Sequence, residues 1–292
     1  MHILNIGSLN IDHVYSVEHF VRPGETLASR HYALHPGGKG CNQSIALAAA
    51  GAPVRHVGRL GQDGLWLRDM LAARGVDTTQ IQIVDGPSGH AVIQVDAAGE
   101  NAILLAGGAN RSITDADAPA LLATAEPGDW LLLQNEISAV PALMRHAAEL
   151  GLHIAFNPAP MSADVHDYPL DLVHTLILNE LEGAELSDYE NPEAITDHLR
   201  KRFPHTAIVL TLGSRGVRYH DAGGVVTVPA PQVEAVDTTA AGDCFIGYLL
   251  AGLAAGHPVR DSLTTACAAA AICVTRPGAA PSIPLATEVR GD

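Results

Sequence analysis

Six short apolar runs recur along the chain: Ile3–Ile6, Val54–Val57, Trp130–Leu133, Ile154–Phe156, Leu176–Leu178 and Ile208–Leu210. Segments with helical spacing lie between them, such as Trp66, Met70 and Ala73, or Val140, Leu143, Met144 and Ala147. A strand that is apolar on both faces needs cover on both faces. A helix between successive parallel strands supplies it. The alternation predicts an α/β fold: a mostly parallel central sheet with helices on both sides. Such sheets bind ligands beyond the carboxyl ends of their strands, so chemistry is sought just after each apolar run. A sizeable core is available, since 47% of the 292 residues are hydrophobic and only 17% are charged.

Two segments break the rhythm. Val14–Tyr32 is β-rich and polar, with Pro23-Gly24 as a turn, and Gly89–Leu105 carries two strand-like runs around Ala97–Glu100. The second reads as a hairpin from its turn residues. Neither fits a strand–helix–strand unit. A small lid sheet and an edge extension of the main sheet are equally open on pattern alone.

Charge narrows the partners. With 17 Lys+Arg against 32 Asp+Glu the net charge is −15, and aromatics are 4%. This argues against nucleic-acid backbones, stacked bases and anionic membranes, while leaving room for a local basic pocket. Cys41, Cys244, Cys267 and Cys273 form no CxxC pair and read as buried thiols in a reducing compartment. The scattered histidines make no transition-metal spacing. MHILNIGSLNID lacks the features of a signal peptide, and no apolar stretch is long enough to span a bilayer. A cytoplasmic protein is expected.

Five motifs carry possible chemistry. PGGKGCNQ (Pro36–Gln43) puts adjacent glycines before a helical run, where free N–H groups and Asn42 face a ligand. It is neither a Walker A loop nor GxGxxG, and alone such a turn is commonly structural. VDTTAAGDCF (Val236–Phe245) sets Asp237 and Asp243 around Ala240, Ala241 and Gly242 at a helix mouth. Consecutive N–H groups there form an anion hole, and Asp243 beside it can accept a hydroxyl proton. The plainer reading makes Asp243 a helix cap. Asn179–Glu182 follows a strand and suits either Mg²⁺ through water or a helix start. Thr211–Gly216, with Gly213, Ser214 and Gly216, suits phosphate or ribose, or a plain turn. Asn10, Asp12 and Glu136 are polar groups where such a sheet places its substrate.

Taken together these motifs resemble the ribokinase-like (PfkB) family of carbohydrate kinases over essentially the whole length. GGKGCNQ resembles the family's first signature and DTTAAGDCFIGYLLAGL its second. GSLNIDH, PGETL, FNPAP, LNELEGAEL, TLGSRGV and AAAAICVTRPGAAPS support the match.

The resemblance implies ATP-dependent phosphorylation of a sugar primary hydroxyl, with the 5-hydroxyl of D-ribose as the expected acceptor. It implies Asp243 as the base, with the backbone of Ala240, Ala241 and Gly242 holding the transferring phosphoryl group. Asn10, Asp12, Gly38, Lys39, Asn42 and Glu136 would hold the sugar. Asn179, Thr211, Gly213, Ser214, Gly216, Gly242 and Cys267 would hold ATP, with Glu182 organising Mg²⁺. Asp237, Thr239, Val274, Arg276, Gly278 and Ser282 match a monovalent-cation site, expected to take K⁺. The resemblance also implies a β-lid (14–32 and 89–105) on an α/β domain (1–13, 33–88 and 106–292), pairing with another lid in a homodimer. Another pentose, a hexose or a nucleoside are alternative substrates. A catalytically silent sugar-binding regulator is an alternative of another class. A nicotinamide dehydrogenase is set aside because GSLNID stands where GxGxxG would be.

Overall fold

The computed structural model describes residues 1–291. In chain order its strands are β1 (Ile3–Ile6), β2 (Asn10–Ser16), β3 (His31–Gly37), β4 (Val54–Leu60), β5 (Asp77–Ile83), β6 (Gly89–Val95), β7 (Asn101–Ala106), β8 (Trp130–Gln134), β9 (His153–Asn157), β10 (Thr175–Asn179), β11 (Ala207–Thr211), β12 (Val217–Asp221) and β13 (Gly224–Val228). The helices are α1 (Lys39–Ala49), α2 (Leu65–Ala73), α3 (Ala118–Leu121), α4 (Val140–Glu149), α5 (Glu180–Ser187), α6 (Pro192–Arg202), α7 (Ala241–Ala254), α8 (Val259–Cys273) and α9 (Ala286–Arg290).

The central sheet has the order β13-β12-β11-β10-β9-β8-β1-β4-β5. Its pairs are parallel from β11 to β5, and β12 and β13 add antiparallel strands at one edge. Successive side chains on a strand face opposite ways. Ile3 of β1, Leu132 of β8 and Ile177 of β10 therefore join Leu71, Leu249 and Leu263 on the side covered by α1, α2, α7 and α8. Their neighbours Leu4, Leu131, Leu133, Leu176 and Leu178 join Leu121, Met144, Leu186 and Leu199 on the side covered by α3 to α6. That arrangement is the doubly covered parallel sheet of an α/β protein. Among the described residues no helix is long and apolar enough to cross a membrane.

The stripe Val140, Leu143, Met144 and Ala147 is the buried face of α4. Trp66, Met70 and Ala73 lie on α2, as their helical spacing predicts, but they are not its buried face. Leu67 and Leu71 are buried, while Trp66 is exposed and Met70 lies at the margin. Both stripes have helical spacing, and contact with the sheet decides between them.

The second sheet has the order β3-β2-β6-β7 and no pairing to the first. Its bounds differ from the segments read as β-rich. It begins at Asn10 rather than Val14, and its return strand is His31–Gly37, after the Pro23-Gly24 turn. The β2–β6 pairing is parallel and the outer pairings are antiparallel. Asn10 and Asp12 thus lie on β2 itself, not in a loop after β1. Asn10 pairs with Gly37 and Gly89, at the root of the sheet.

Candidate active site

Two glycines of PGGKG are required, Gly38 by backbone conformation and Gly40 by packing. Gly38 precedes α1 with φ of 91°, a left-handed conformation that favours glycine. Gly40 lies against the end of β1. A Cβ there would stand 2.4 Å from the Ser8 nitrogen and 2.6 Å from the Gly7 carbonyl carbon, both rigid backbone. We expect Gly40→Ala to push α1 off β1, lowering stability by roughly 1–3 kcal/mol and activity with it. Thermal melting and turnover on one preparation check this; an unchanged melt would show that the contact yields.

Helix α7 opens on Ala240, which takes a left-handed φ of 60°, and no side chain caps this end. The capping role considered for Asp243 is therefore not the one it plays. Asp243 lies in the first turn, and its carboxylate reaches across to α1. Its Oδ2 accepts from Asn42 Nδ2 at 3.0 Å and its Oδ1 from Gln43 Nε2 at 2.8 Å. All three side chains are buried. Burial pushes the Asp243 carboxyl above its ordinary pKa, with help from Glu136 and against the pull of Lys39 and both amide donors. Asn42 Oδ1 is buried without a partner, so its acceptor remains available for a ligand hydroxyl.

Around this carboxylate the loops after β1 and β8 converge. Ser8 Oγ donates to Glu136 Oε2, which also accepts from the Lys39 backbone N–H at 2.9 Å. The Gly40 N–H donates to Ser8 Oγ at 3.1 Å, fastening the glycine turn to β1. Burial pulls the Lys39 ammonium down, but the carboxylates of Asp243, Glu136 and Glu182 outweigh it and hold its pKa above the usual value. Asn10 Oδ1 accepts from Asn110 Nδ2 at 2.7 Å.

Asp12 has its pKa raised to about 7, first by burial and then by Glu136. A carboxyl raised in the folded state stabilises it most below the unfolded pKa near 4, and that contribution is lost as pH rises through 7. Asp12→Asn removes the ionisable group. It is expected to melt higher than the native chain at pH 8, by roughly 5 °C, with the gap closing toward pH 4. Melts at the two pH values check this, and a gap that does not vary with pH contradicts it.

Asn179 and Glu182 are joined as a reciprocal cap on α5. Glu182 N–H donates to Asn179 Oδ1 at 2.9 Å, and Asn179 N–H and Nδ2 donate to the Glu182 carboxylate at 2.9 and 3.0 Å. The same residues line a cleft of about 250 Å³ with Lys39, Thr238, Gly242 and Asp243. The helix-start reading holds, and the pair also lines the cleft that contains Asp243. Burial and the Asp243 charge raise the Glu182 pKa, against its bond from Asn179 and the attraction of Lys39.

Beyond Gly242 a second cavity, of about 270 Å³ and mainly apolar, opens between the loop after β11 and helices α7 and α8. Thr211, Gly213, Ser214, Gly216, Cys267 and Val274 line it. Its apolar lining suits a heteroaromatic ring, and Thr211, Thr238 and Gly242 line both this cavity and the cleft. The loop after α8 is tied to the segment before α7. Asp237 accepts from the N–H groups of Thr239 at 2.9 Å and Gly278 at 2.8 Å, and the Asp237 N–H donates to the Val274 carbonyl at 3.1 Å. Arg276 turns to Glu288 at 2.6 Å, and Ser282 Oγ is buried against Cys273 and the Ala279 carbonyl. Those two side chains are occupied, so this loop offers an ion its backbone carbonyls and Asp237.

Sequence reading missed Ser8, Gln43, Asn110, Gln134 and Asn157. Gln43 stood inside the first glycine motif and Ser8 beside Asn10. Asn157 stood inside FNPAP, while Asn110 and Gln134 carry no local signal.

A polar cluster, a buried carboxylate in the first turn of a helix and an apolar cavity beside it suit a small-molecule phosphotransferase. The sequence profile of the pfkB family carbohydrate kinases matches residues 2–286, and the chain belongs to that family. It is 36% identical to the ribokinase of Haemophilus influenzae over 293 residues, covering 97% of this chain and 95% of that one. Ribokinase from Cryptococcus neoformans in complex with ADP superposes with a TM-score of 0.90 at 37% identity, covering 99% of each chain. Arabidopsis thaliana ribokinase complexed with ribose and ATP superposes with a TM-score of 0.90 at 28% identity, covering 99% of this chain and 97% of that one.

Proposed function

We propose that this protein transfers the γ-phosphoryl group of ATP to the primary 5-hydroxyl of D-ribose. The observation that carries the reading is the position of Asp243, where the polar end meets the nucleotide cavity. In this account the sugar lies against Asn10, Asp12, Asn42 and Glu136, and the adenine against Cys267 and the loop after β11. Asp243 accepts the hydroxyl proton as the oxygen attacks. The N–H groups at the start of α7, with the helix dipole, face the charge developing on the transferred group. Lys39 adds a fixed positive charge in the same cleft. Phosphoryl transfer needs little beyond this positioning and electrostatic support.

The site fits Mg²⁺: Asp243, Glu136 and Glu182 set three carboxylates against one lysine, an excess of negative charge for a site that must also take a triphosphate. Glu182 and Asn179 would hold the ion through water, where it neutralises phosphate charge. Asp237 with the carbonyls of Thr239, Val274 and Gly278 suits K⁺ beside the anion hole. We read the sheet β3-β2-β6-β7 as a lid over the sugar. Leu34 on β3 and Ile103, Leu104 and Leu105 on β7 are exposed, and both outer edges are unpaired. Such a surface favours a homodimer through the lids. Use of ATP and four unbridged cysteines support work in the cytoplasm.

A panel of D-ribose, another pentose, a hexose and a nucleoside, each with ATP and Mg²⁺ and read as ADP release, tests the reading. Ribose should be fastest, and K⁺ in place of Na⁺ should raise its rate. Turnover of a hexose or nucleoside without ribose would overturn the substrate. Ribose binding with no turnover of any sugar would favour a regulator.

A further inference from the structure

The donors that hold Asp243 are themselves held. Gln43 Nε2 faces Asp243 Oδ1 and lies 3.4 Å from Asn157 Oδ1. Gln134 Nε2 donates to Gln43 Oε1 at 2.7 Å and to Asn5 Oδ1 at 2.9 Å. Asn5 Nδ2 donates to the Gly40 carbonyl and to Ser44 Oγ, both at 2.8 Å. Asn157 Nδ2 donates to the Ile177 carbonyl at 3.0 Å. Asn5, Gln43 and Gln134 are fully buried.

A side-chain amide has one donating and one accepting end, and a backbone carbonyl only accepts. The Gly40 carbonyl therefore turns the Asn5 NH₂ toward itself and its oxygen toward Gln134. Gln134 must present its NH₂ to that oxygen, and the same NH₂ meets Gln43 Oε1. With its oxygen taken, Gln43 has its NH₂ left for Asp243. From the other side, the Ile177 carbonyl turns the Asn157 oxygen toward Gln43, which demands the same orientation. Gln134 Oε1 is left buried without a partner. That cost is retained because flipping Gln134 would set its oxygen against two others.

We infer that Asn5, Gln134, Gln43 and Asn157 form a directional amide relay, anchored on two backbone carbonyls, that aims a fixed N–H at Asp243 and keeps this carboxylate ionised and oriented. They are positioning residues, and the inference rests on the reading of Asp243 as the base. Lys39 and Cys41 from α1, Glu136 after β8, Glu182 from α5, Cys244 on α7 and Cys273 from α8 also act on Asp243 electrostatically or respond to its charge. Substituting the relay amides leaves all of these in place.

The test compares Gln43→Met, Gln134→Met and the double variant. Asp243 is titrated through the carbon-13 shift of its carboxyl in the sugar-free protein, and kcat and KM are measured across pH. Losing a hydrogen bond to a charged group should raise the Asp243 midpoint by about one pH unit in Gln43→Met. Below that midpoint kcat should fall by roughly tenfold, with both KM values nearly unchanged. Gln134→Met should shift the midpoint the same way by less, although residue 134 does not touch Asp243. Because the relay is serial, the double variant should be no worse than Gln43→Met. An unmoved midpoint in folded Gln43→Met, or full additivity, overturns the relay. Should Gln43→Met fail to fold, the presence or absence of a shift in Gln134→Met decides alone. Shifted midpoints in a protein that phosphorylates no sugar would leave the relay standing and remove the reading of Asp243 as a kinase base.

Discussion

Asp243→Asn is expected to lose roughly 10²–10⁴ in kcat, the usual cost of removing a general base. The fold should survive. The carboxylate is buried, its pKa is raised by that burial, and neutralising it relieves a desolvation cost. Asparagine also keeps the size of the side chain. One of its ends meets a donor from α1 that formerly faced an oxygen, and the unpartnered Asn42 Oδ1 allows that neighbour to turn and accept instead. ATP binding should persist, because the apolar cavity and the loop after β11 lie apart from the change. Steady-state turnover, ATP titration and a melt on one preparation separate the possibilities. Near-normal kcat in a folded variant would remove Asp243 from the chemistry. Lost turnover with an unchanged or higher melting temperature is the expected result.

D-Ribose is expected to exceed 2-deoxyribose in kcat/KM by about 10²-fold or more, because a site built to bond a hydroxyl leaves its own groups unpaired when the hydroxyl is missing. The orientation of Asn10 supports this. The Leu9 N–H donates to Asn110 Oδ1 at 3.0 Å, and Asn110 Nδ2 donates back to the Leu9 carbonyl at 3.2 Å and on to Asn10 Oδ1. Asn110 is thus fixed by backbone, and it consumes the oxygen of Asn10. The NH₂ of Asn10 is the end left to donate to a sugar oxygen. Asn10→Ala should narrow the gap between the two sugars, and Asn110→Ser should narrow it partway by letting Asn10 rotate. Paired kcat/KM values for both sugars check this. Equal rates on the native protein, or an Asn10→Ala variant that slows both sugars alike, would contradict it.

These expectations were partly visible in the residue order because the features concerned are local. Strands apolar on both faces announce a covered parallel sheet, and β1, β4, β8, β9, β10 and β11 lie where those runs are. Gly38, Asn42 and Asp243 sit in compact motifs whose chemistry can be read from neighbours a few residues away. The strand β5, Asp77–Ile83, was not legible. It is an edge strand with only Ile81 fully buried, so its DTTQIQI pattern lacks the apolar run used to find the others. In the β12–β13 hairpin the outer strand β13 has one free side, and the demand for apolar residues falls there. The bounds of the second sheet were misplaced because Asn10–Ser16 and His31–Gly37 pair only after the chain between them has folded back. Asn110 and Gln134 could not be found at all. Asn110 meets Asn10 across 100 residues, and Gln134 meets Gln43 across 91. Only the assembled sheets bring those amides together.

The identity of the product tests the central claim most directly. Incubation of the protein with ATP, Mg²⁺ and carbon-13-labelled D-ribose, followed by carbon-13 and phosphorus-31 spectra, reports which sugar oxygen carries the phosphate. Ribose 5-phosphate is the expected product, with splitting of the C5 resonance by phosphorus and one ADP formed per phosphorylated sugar. Phosphate on another ribose oxygen, or ADP formed with the sugar unchanged, would contradict it.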